Sequence, residues 1–179
     1  MPHNCARLVL PNTEVEDSLL RLYLAENHLK PKNNLKLEIN ALDNYIDSKD
    51  IKIIIKIFND ILNDCVSILD KIFQDERSVR DLIYAALTKD INLQKFKERE
   101  RVNEYSDLEL VTRKTHMVIE FKRATPDRDA KASLQAALCQ LQEKNYGVGA
   151  FQDHMLYRVA MVIHTEEKKI LIDSYNELI

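Results

Sequence analysis

Glu120 and Lys122 are separated by a single residue within the run from Met117 to Thr125, where polar and apolar residues alternate. Alternation of this kind predicts a β-strand with one buried face, because successive side chains point to opposite sides. Glu120 and Lys122 are then expected side by side on the solvent-facing side. A carboxylate beside an ammonium suits phosphodiester hydrolysis, in which a bound divalent cation neutralises the developing charge.

A second strand is predicted upstream, from Tyr105 to Val111, and it contains Asp107. The polar residues 113–115 predict a turn between the two strands, so we expect them to pair as a hairpin. Asp107 and Glu120 could then share one Mg²⁺, or Mn²⁺ as a substitute, with Lys122 beside it. These three residues are the candidate centre of a metal-dependent phosphodiesterase.

The pattern around these residues predicts an α+β fold. Apolar residues first recur at helical spacing, and after residue 93 the period falls towards two. We expect a helical N-terminal segment, 1–75, packed on a core, 76–179, whose elements follow the order αβββαββ around a mixed sheet. The predicted helices are 14–29, 35–46, 48–73, 75–87 and 130–145, and the predicted strands are 93–102, 105–111, 115–122, 157–164 and 169–173.

Asp107, Glu120 and Lys122 resemble the D…E-x-K signature of the PD-(D/E)XK nuclease superfamily, which sits on adjacent strands. Residues 136–146 are similar to a helix of the nuclease domain found behind AAA-ATPase-like domains in bacterial proteins. Residues 10–15 resemble the junction of those two domains, and 76–84 are similar to a glutamate-led helix before the catalytic strands. The resemblance spans about residues 7 to 176 and implies a restriction-endonuclease-like fold.

Two features depart from that family. The family often has Gly-Arg shortly before its first aspartate, where this chain has Tyr105 and Ser106. The glycine loop that cradles nucleotide phosphates is also missing, so we expect no nucleotide hydrolysis by this chain. The chain is expected to be either a naturally shortened protein or a fragment that lacks an ATPase-like domain.

The resemblance implies a role for each residue of the centre. Asp107 and Glu120 would be direct metal ligands, and the backbone carbonyl of Phe121 a further one. Lys122 would position the attacking water or stabilise the phosphorane, or act as a base if a neighbouring metal lowers its pKa. Glu76 would reach the metal through a water molecule.

Residues after the centre complete the predicted site. Gln140 and Lys144 lie one helical turn apart, so both can approach the scissile strand, and we assign Gln140 to catalysis. The nucleic-acid contacts are assigned to Arg123, Lys131, Lys144 and Tyr146.

Simpler interpretations exist for the same residues. Asp107 and Glu120 also fit exposed positions of an antiparallel sheet, and Lys122 also fits a cross-strand ion pair. Glu76 is typical of a first-turn glutamate favoured by the helix dipole. Tyr146 also fits simple packing at a helix end.

The charge of the chain is unlike that of a typical nucleic-acid binder, with a net charge of −3 and a pI of about 6.0. From Arg113 to Lys131, however, six basic and three acidic residues give a local charge of +3 (6 − 3), and we expect this strip to flank the metal site. No apolar run approaches the roughly 20 residues that span a bilayer, and the first residues lack the charged-then-apolar pattern expected of a secretory signal. We therefore expect no membrane partner and a cytoplasmic location, or the interior of a host cell for a secreted effector. The three cysteines are expected to be free thiols.

The sequence thus predicts a metal-dependent nuclease that acts on DNA or RNA. One alternative is a catalytically inactive nuclease-like domain that binds nucleic acid or protein. Another is an interaction domain within a larger effector or toxin, in which the helical half contacts a protein partner.

Overall fold

In the computed structural model of the chain, the described residues are 38–63, 76–87, 94–101, 104–126 and 129–178. All of them belong to one compact unit, Pro31–Ile179. Several predictions fall outside the described residues: the helix at 14–29, the junction-like residues 10–15, the part of the third predicted helix beyond residue 63, and Cys5 and Cys65.

Three described helices precede the sheet: α1 at Leu42–Asp47, α2 at Ile51–Asn63 and α3 at Glu76–Ala86. Seven apolar side chains of α2 are buried. The helix contacts both α1 and α3. The buried residues of α2 are Ile51, Ile54, Ile55, Ile57, Phe58, Ile61 and Leu62.

The start of α2 differs from the sequence-based prediction, which places it at Ser48. Lys49 has a φ of 58°, a left-handed conformation that interrupts the helix between α1 and α2. The carboxylate of Asp50 accepts a hydrogen bond from the backbone N–H of Ile53 at 3.3 Å. Asp50 therefore satisfies one of the unpaired N–H groups at the new start of the helix.

Five strands form one mixed sheet in the order β1-β2-β3-β4-β5. β3 and β4 are parallel, and the other neighbouring strands are antiparallel. A parallel pair needs a crossover, and helix α4 supplies it between β3 and β4. The strands are β1 at Gln94–Arg101, β2 at Glu104–Val111, β3 at Thr115–Ala124, β4 at Met155–His164 and β5 at Lys169–Leu178, and α4 is Ala130–Glu143.

The expectation that β3 exposes one face to solvent is wrong. Every residue of β3 from Thr115 to Phe121 is buried. Val118 packs in a cluster with Ala137 and Leu141 of α4, so α4 covers the face that carries the polar side chains. The physical reason is the crossover, which places a helix over the central strands.

The predicted α+β class is confirmed: helices pack with a mixed five-stranded sheet. From α3 onwards the described elements are one helix, three strands, one helix and two strands. None of the helices in the described ranges is both long enough and apolar enough to cross a bilayer.

Candidate active site

The candidate site lies where β2 and β3 separate. Their ladder pairs residues from Val111 with His116 to Leu108 with Ile119. Asp107 and Glu120 are the next residues after the last pair of this ladder, and the charge of Asp107 acts on Glu120, so the two acidic residues lie near each other at the end of the paired region.

Beyond that point, two carboxylates bind the backbone of β3. Asp107 Oδ2 accepts the N–H of Phe121 at 2.8 Å, and Glu76 Oε1 accepts the N–H of Arg123 at 2.7 Å. The N–H and C=O of one strand residue point to the same edge, so the carbonyl of Phe121 also faces the edge at which Asp107 lies. β2 and α3 thereby bring Asp107 and Glu76 to one stretch of β3.

Lys122 donates a close hydrogen bond to Glu120. Lys122 Nζ is 2.6 Å from Glu120 Oε1 and 3.9 Å from Glu76 Oε2. The Glu120 side chain is 1% exposed and that of Lys122 is 18% exposed. Glu120 is therefore buried rather than solvent-facing, and Lys122 is the member of the pair that reaches towards the surface.

The second carboxylate oxygen of Glu120 has no hydrogen-bond partner. Oε2 is buried, and no donor among the described residues lies within hydrogen-bonding distance of it. Burial, together with the charge of nearby Asp107, raises the pKa of Glu120 to about 8. An unpartnered buried oxygen with a raised pKa will take either a proton or a cation, since a bare charge there is costly.

The other two members of the cluster also have shifted pKa values. Burial raises the pKa of Asp107, against the opposing effects of the Phe121 N–H, Lys122 and Arg80. Burial disfavours the ammonium of Lys122, but the carboxylates of Glu120, Glu76 and Asp107 outweigh it and raise its pKa. Lys122 is therefore a charged donor at neutral pH.

Sequence reasoning missed Arg80, a fourth charged residue at this centre. It lies on α3 one turn after Glu76, it is 4% exposed, and its Nη1 is 3.7 Å from Asp107 Oδ1. The sequence did hold an indication of this role, because the position of Arg80 in α3 puts it on the same buried side of the helix as Val79 and Ile83. A charged residue in an apolar stripe indicates a buried partner.

The structure places Gln140 and Tyr146 together. Gln140 Nε2 donates to the Tyr146 hydroxyl at 3.1 Å, and the Tyr146 ring, 6% exposed, packs in the cluster with Val118. The packing role of Tyr146 at a helix end is thus observed, whereas its contact with nucleic acid stays a prediction.

The residues assigned to nucleic-acid contacts lie between the end of β3 and the residues just after α4. Ser133 in the first turn of α4 donates to the backbone carbonyl of Arg123 at 2.8 Å, which fixes the start of the helix beside the site. Lys131 and Lys144 are both exposed, but about 20 Å of helix separates them at ~1.5 Å per residue. Lys131 is therefore close to Arg123, and Lys144 lies at the far end of α4.

The positive strip from Arg113 to Lys131 is not one surface, and that part of the expectation is wrong. Arg113 and Lys114 are exposed in the turn before β3, whereas Lys122 lies near its other end. At a strand rise of about 3.3 Å per residue, roughly 23 Å separates Thr115 from Lys122. The basic residues near the site are those that follow Phe121.

A second buried polar group lies in the same sheet and was also missed. His116 Nε2 is 2.8 Å from Glu109 Oε2, and the Ser106 hydroxyl donates to Glu109 Oε1 at 2.8 Å. Both members of the histidine–glutamate pair are buried, and Phe151 packs edge-on against His116. Alternation along β2 predicts a polar face, but it does not reveal that the face is covered.

A scan against protein-family models and searches of curated proteins and of solved structures gave no significant match.

Proposed function

We propose that this chain is a divalent-metal-dependent nuclease of the restriction-endonuclease-like type. One observation carries the proposal: the buried Oε2 of Glu120, close enough to Asp107 for their charges to interact, has no partner among the described residues. The order of elements from α3 to β5 supports the same proposal, because it is the order expected for that fold.

The residues present fit a divalent cation. Asp107 and the carbonyl of Phe121 share one edge of β3, and the Glu120 carboxylate lies within range of the Asp107 charge. Mg²⁺ commonly takes one or two carboxylates with retained waters. The described residues contain no group of three or more His, Cys, Asp or Glu side chains arranged to hold a metal. The proposed ligand set is Asp107, Glu120 and the Phe121 carbonyl, and we propose that Glu76, which lies 3.9 Å from Lys122, reaches the cation through water.

In this proposal each residue has a defined task. Asp107 and Glu120 hold the cation, which when bound supplies charge neutralisation at the phosphate and a more acidic water. The carboxylates around Lys122 raise its pKa, so in the metal-free protein it is a charged donor, and in the proposed mechanism it would donate to the phosphate oxygens or to the attacking water. Its hydrogen bond to Glu120 holds the amino group beside the proposed ligands.

The substrate would approach from the end of β3 that carries Lys122. Lys122 is partly exposed there, Arg123 follows it half-buried, and Lys131 is exposed at the start of α4. These cations offer the phosphate contacts that sequence-independent binding requires. DNA and RNA both present such a backbone.

The decisive test is a cleavage assay with the full chain on linear, circular and single-stranded DNA and on RNA. We expect cleavage with Mg²⁺ or Mn²⁺ and none with Ca²⁺ or a chelator. Glu120→Gln keeps the size of the side chain and should lose cleavage, whereas Glu143→Gln, an exposed change on α4, should cleave as the wild type does.

Two outcomes would contradict the proposal. Cleavage that continues in a chelator, or that survives in Glu120→Gln, would remove the metal centre from the mechanism. Nucleic-acid binding in Ca²⁺ without cleavage under any metal would identify an inactive nuclease-like binding module instead.

A further inference from the structure

Arg80 is a buried cation that touches the proposed metal centre without being able to ligate a metal. Its side chain is 4% exposed, and its Nη1 is 3.7 Å from Asp107 Oδ1. Guanidinium has donors only and stays charged in proteins, so its neighbours must be acceptors. Arg80 therefore acts on the centre through Asp107.

The guanidinium is held in a fixed orientation. Nε and Nη2 of Arg80 both donate to Asp81 Oδ1, at 2.9 Å and 2.8 Å. Adjacent helix residues do not normally face each other, so the Arg80 side chain must bend back to make these bonds. Nη1 is the guanidinium nitrogen within ion-pair distance of Asp107.

Asp107 is thereby held from two sides. The backbone N–H of Phe121 binds Oδ2 at 2.8 Å, and Arg80 lies on the side of Oδ1. The hydrogen bond at Oδ2 and the longer ionic contact at Oδ1 together favour one rotamer of Asp107, so its free lone pairs keep one direction. That restraint is what a metal ligand needs before the ion arrives.

We propose that Arg80 is a positioning residue that presents the Asp107 carboxylate to a divalent cation, with Asp81 fixing the guanidinium. The inference rests on the metal site of the proposed function but not on hydrolysis. It makes a prediction opposite to that of simple charge repulsion. Removal of a nearby positive charge should tighten cation binding, whereas removal of a positioning group should weaken it.

The test is calorimetric titration of the full chain with Mn²⁺ and with Ca²⁺. We expect Arg80→Ala to weaken binding about 10–100-fold, the range found for groups that orient metal ligands. Arg80→Lys keeps the charge but loses the planar fork, and it should weaken binding nearly as much. Asp81→Asn should weaken binding less, because Arg80 remains but is held less firmly.

Arg77→Ala is the matched control, because Arg77 is an exposed arginine on the same helix. Its cation affinity should equal that of the wild type. Thermal melting followed by circular dichroism checks that each variant is folded. If Arg80→Ala does not fold, the binding constants of Arg80→Lys and Asp81→Asn test the proposal instead.

The outcomes separate this inference from the proposed function. Unchanged or tighter cation binding in Arg80→Ala and Arg80→Lys would overturn the positioning role while leaving the metal site intact. Wild-type protein that binds neither Mn²⁺ nor Ca²⁺ would overturn both. Cation binding by the wild type without cleavage would overturn only the nuclease.

Discussion

At the scale of single residues, Glu120 determines the chemistry of the site. It is 1% exposed, one oxygen binds Lys122, and the other has no partner among the described residues. A buried oxygen of this kind is stable when it carries a proton or contacts a cation. We therefore expect the proton in the metal-free protein, and the proposed metal site would replace it with a cation.

The proton of Glu120 gives a prediction for stability against pH. Its pKa is about 8 in the folded protein and about 4.5 without the fold. Between these values the folded state binds the extra proton, so stability should fall as pH rises, by at most ~1.4 kcal/mol per pH unit. Glu120→Gln, which cannot titrate, should remove this fall.

Urea unfolding of metal-free protein from pH 5 to pH 8.5 measures the effect. The exposed variant Glu143→Gln should keep the wild-type slope. An identical slope in Glu120→Gln and wild type would mean that Glu120 is ionised throughout this range.

A second prediction concerns Lys122. Its ammonium occupies Oε1 of Glu120 at 2.6 Å, so it competes with a cation for the same carboxylate. Lys122→Met should lower cleavage about 10²–10³-fold, as loss of a donor to the transition state does. The same variant should bind Mn²⁺ as tightly as the wild type or more tightly.

Cleavage rates and Mn²⁺ titration on the same samples check both parts. Lys52→Met, an exposed change on α2, should alter neither quantity. Weaker Mn²⁺ binding in Lys122→Met would instead assign Lys122 to holding the carboxylates in place.

At the scale of elements, local sequence pattern predicted the strands well. Alternation placed the second strand at 105–111, and the structure has Glu104–Val111; turn residues separate it from β3 as expected. The contacts that form the site could not be predicted from alternation, because each joins different elements of the fold. One is the cover that α4 provides over Glu120. Another is the contact of Arg80 with Asp107, and a third is the buried pair of Glu109 and His116.

Asn59 of α2 also makes a contact between elements that are distant in the sequence. Its side-chain amide donates to the carbonyl of Ile170 and accepts from the N–H of Ile170, both at 2.7 Å. The amide thus replaces a neighbouring strand at β5, the last strand of the sheet. Covered edges protect a sheet from pairing with another molecule.

Asn59→Ala should therefore destabilise the protein. It leaves an N–H and a C=O of buried Ile170 without partners, at about 1–3 kcal/mol each. Urea unfolding gives the loss, and size-exclusion chromatography at increasing concentration reports association through the uncovered edge. Asn63→Ala, at the exposed end of the same helix, is the control, and equal stability of both variants would deny Asn59 this role.

At the scale of the whole molecule, charge decides how nucleic acid can be held. The net charge is −3, so no general attraction to a polyanion is available. The nucleic-acid binding proposed above would therefore come from the few cations near Lys122. The basic residues before β3 belong to the opposite end of that strand and should not take part.

The positions of these basic residues predict how nucleic-acid binding depends on salt concentration. With about four phosphates contacted, log K should fall against log salt with a slope near −3.6 on duplex DNA. Lys131→Glu should weaken binding and flatten the slope by about 0.9, because one phosphate contact is lost. Reversal of Arg113 and Lys114 together should change neither, although it removes more positive charge. Fluorescence anisotropy in Ca²⁺ over a range of salt concentrations measures both quantities without cleavage.

The comparison is informative because all three side chains are exposed and differ mainly in position. Equal effects of the two changes would mean that the binding face lies elsewhere or that only total charge matters. A stronger effect at Arg113 and Lys114 would place the substrate at the start of β3, away from Glu120. Absence of binding to any DNA or RNA at low salt would favour a protein partner, since a nuclease must hold a phosphate backbone beside its metal ligands.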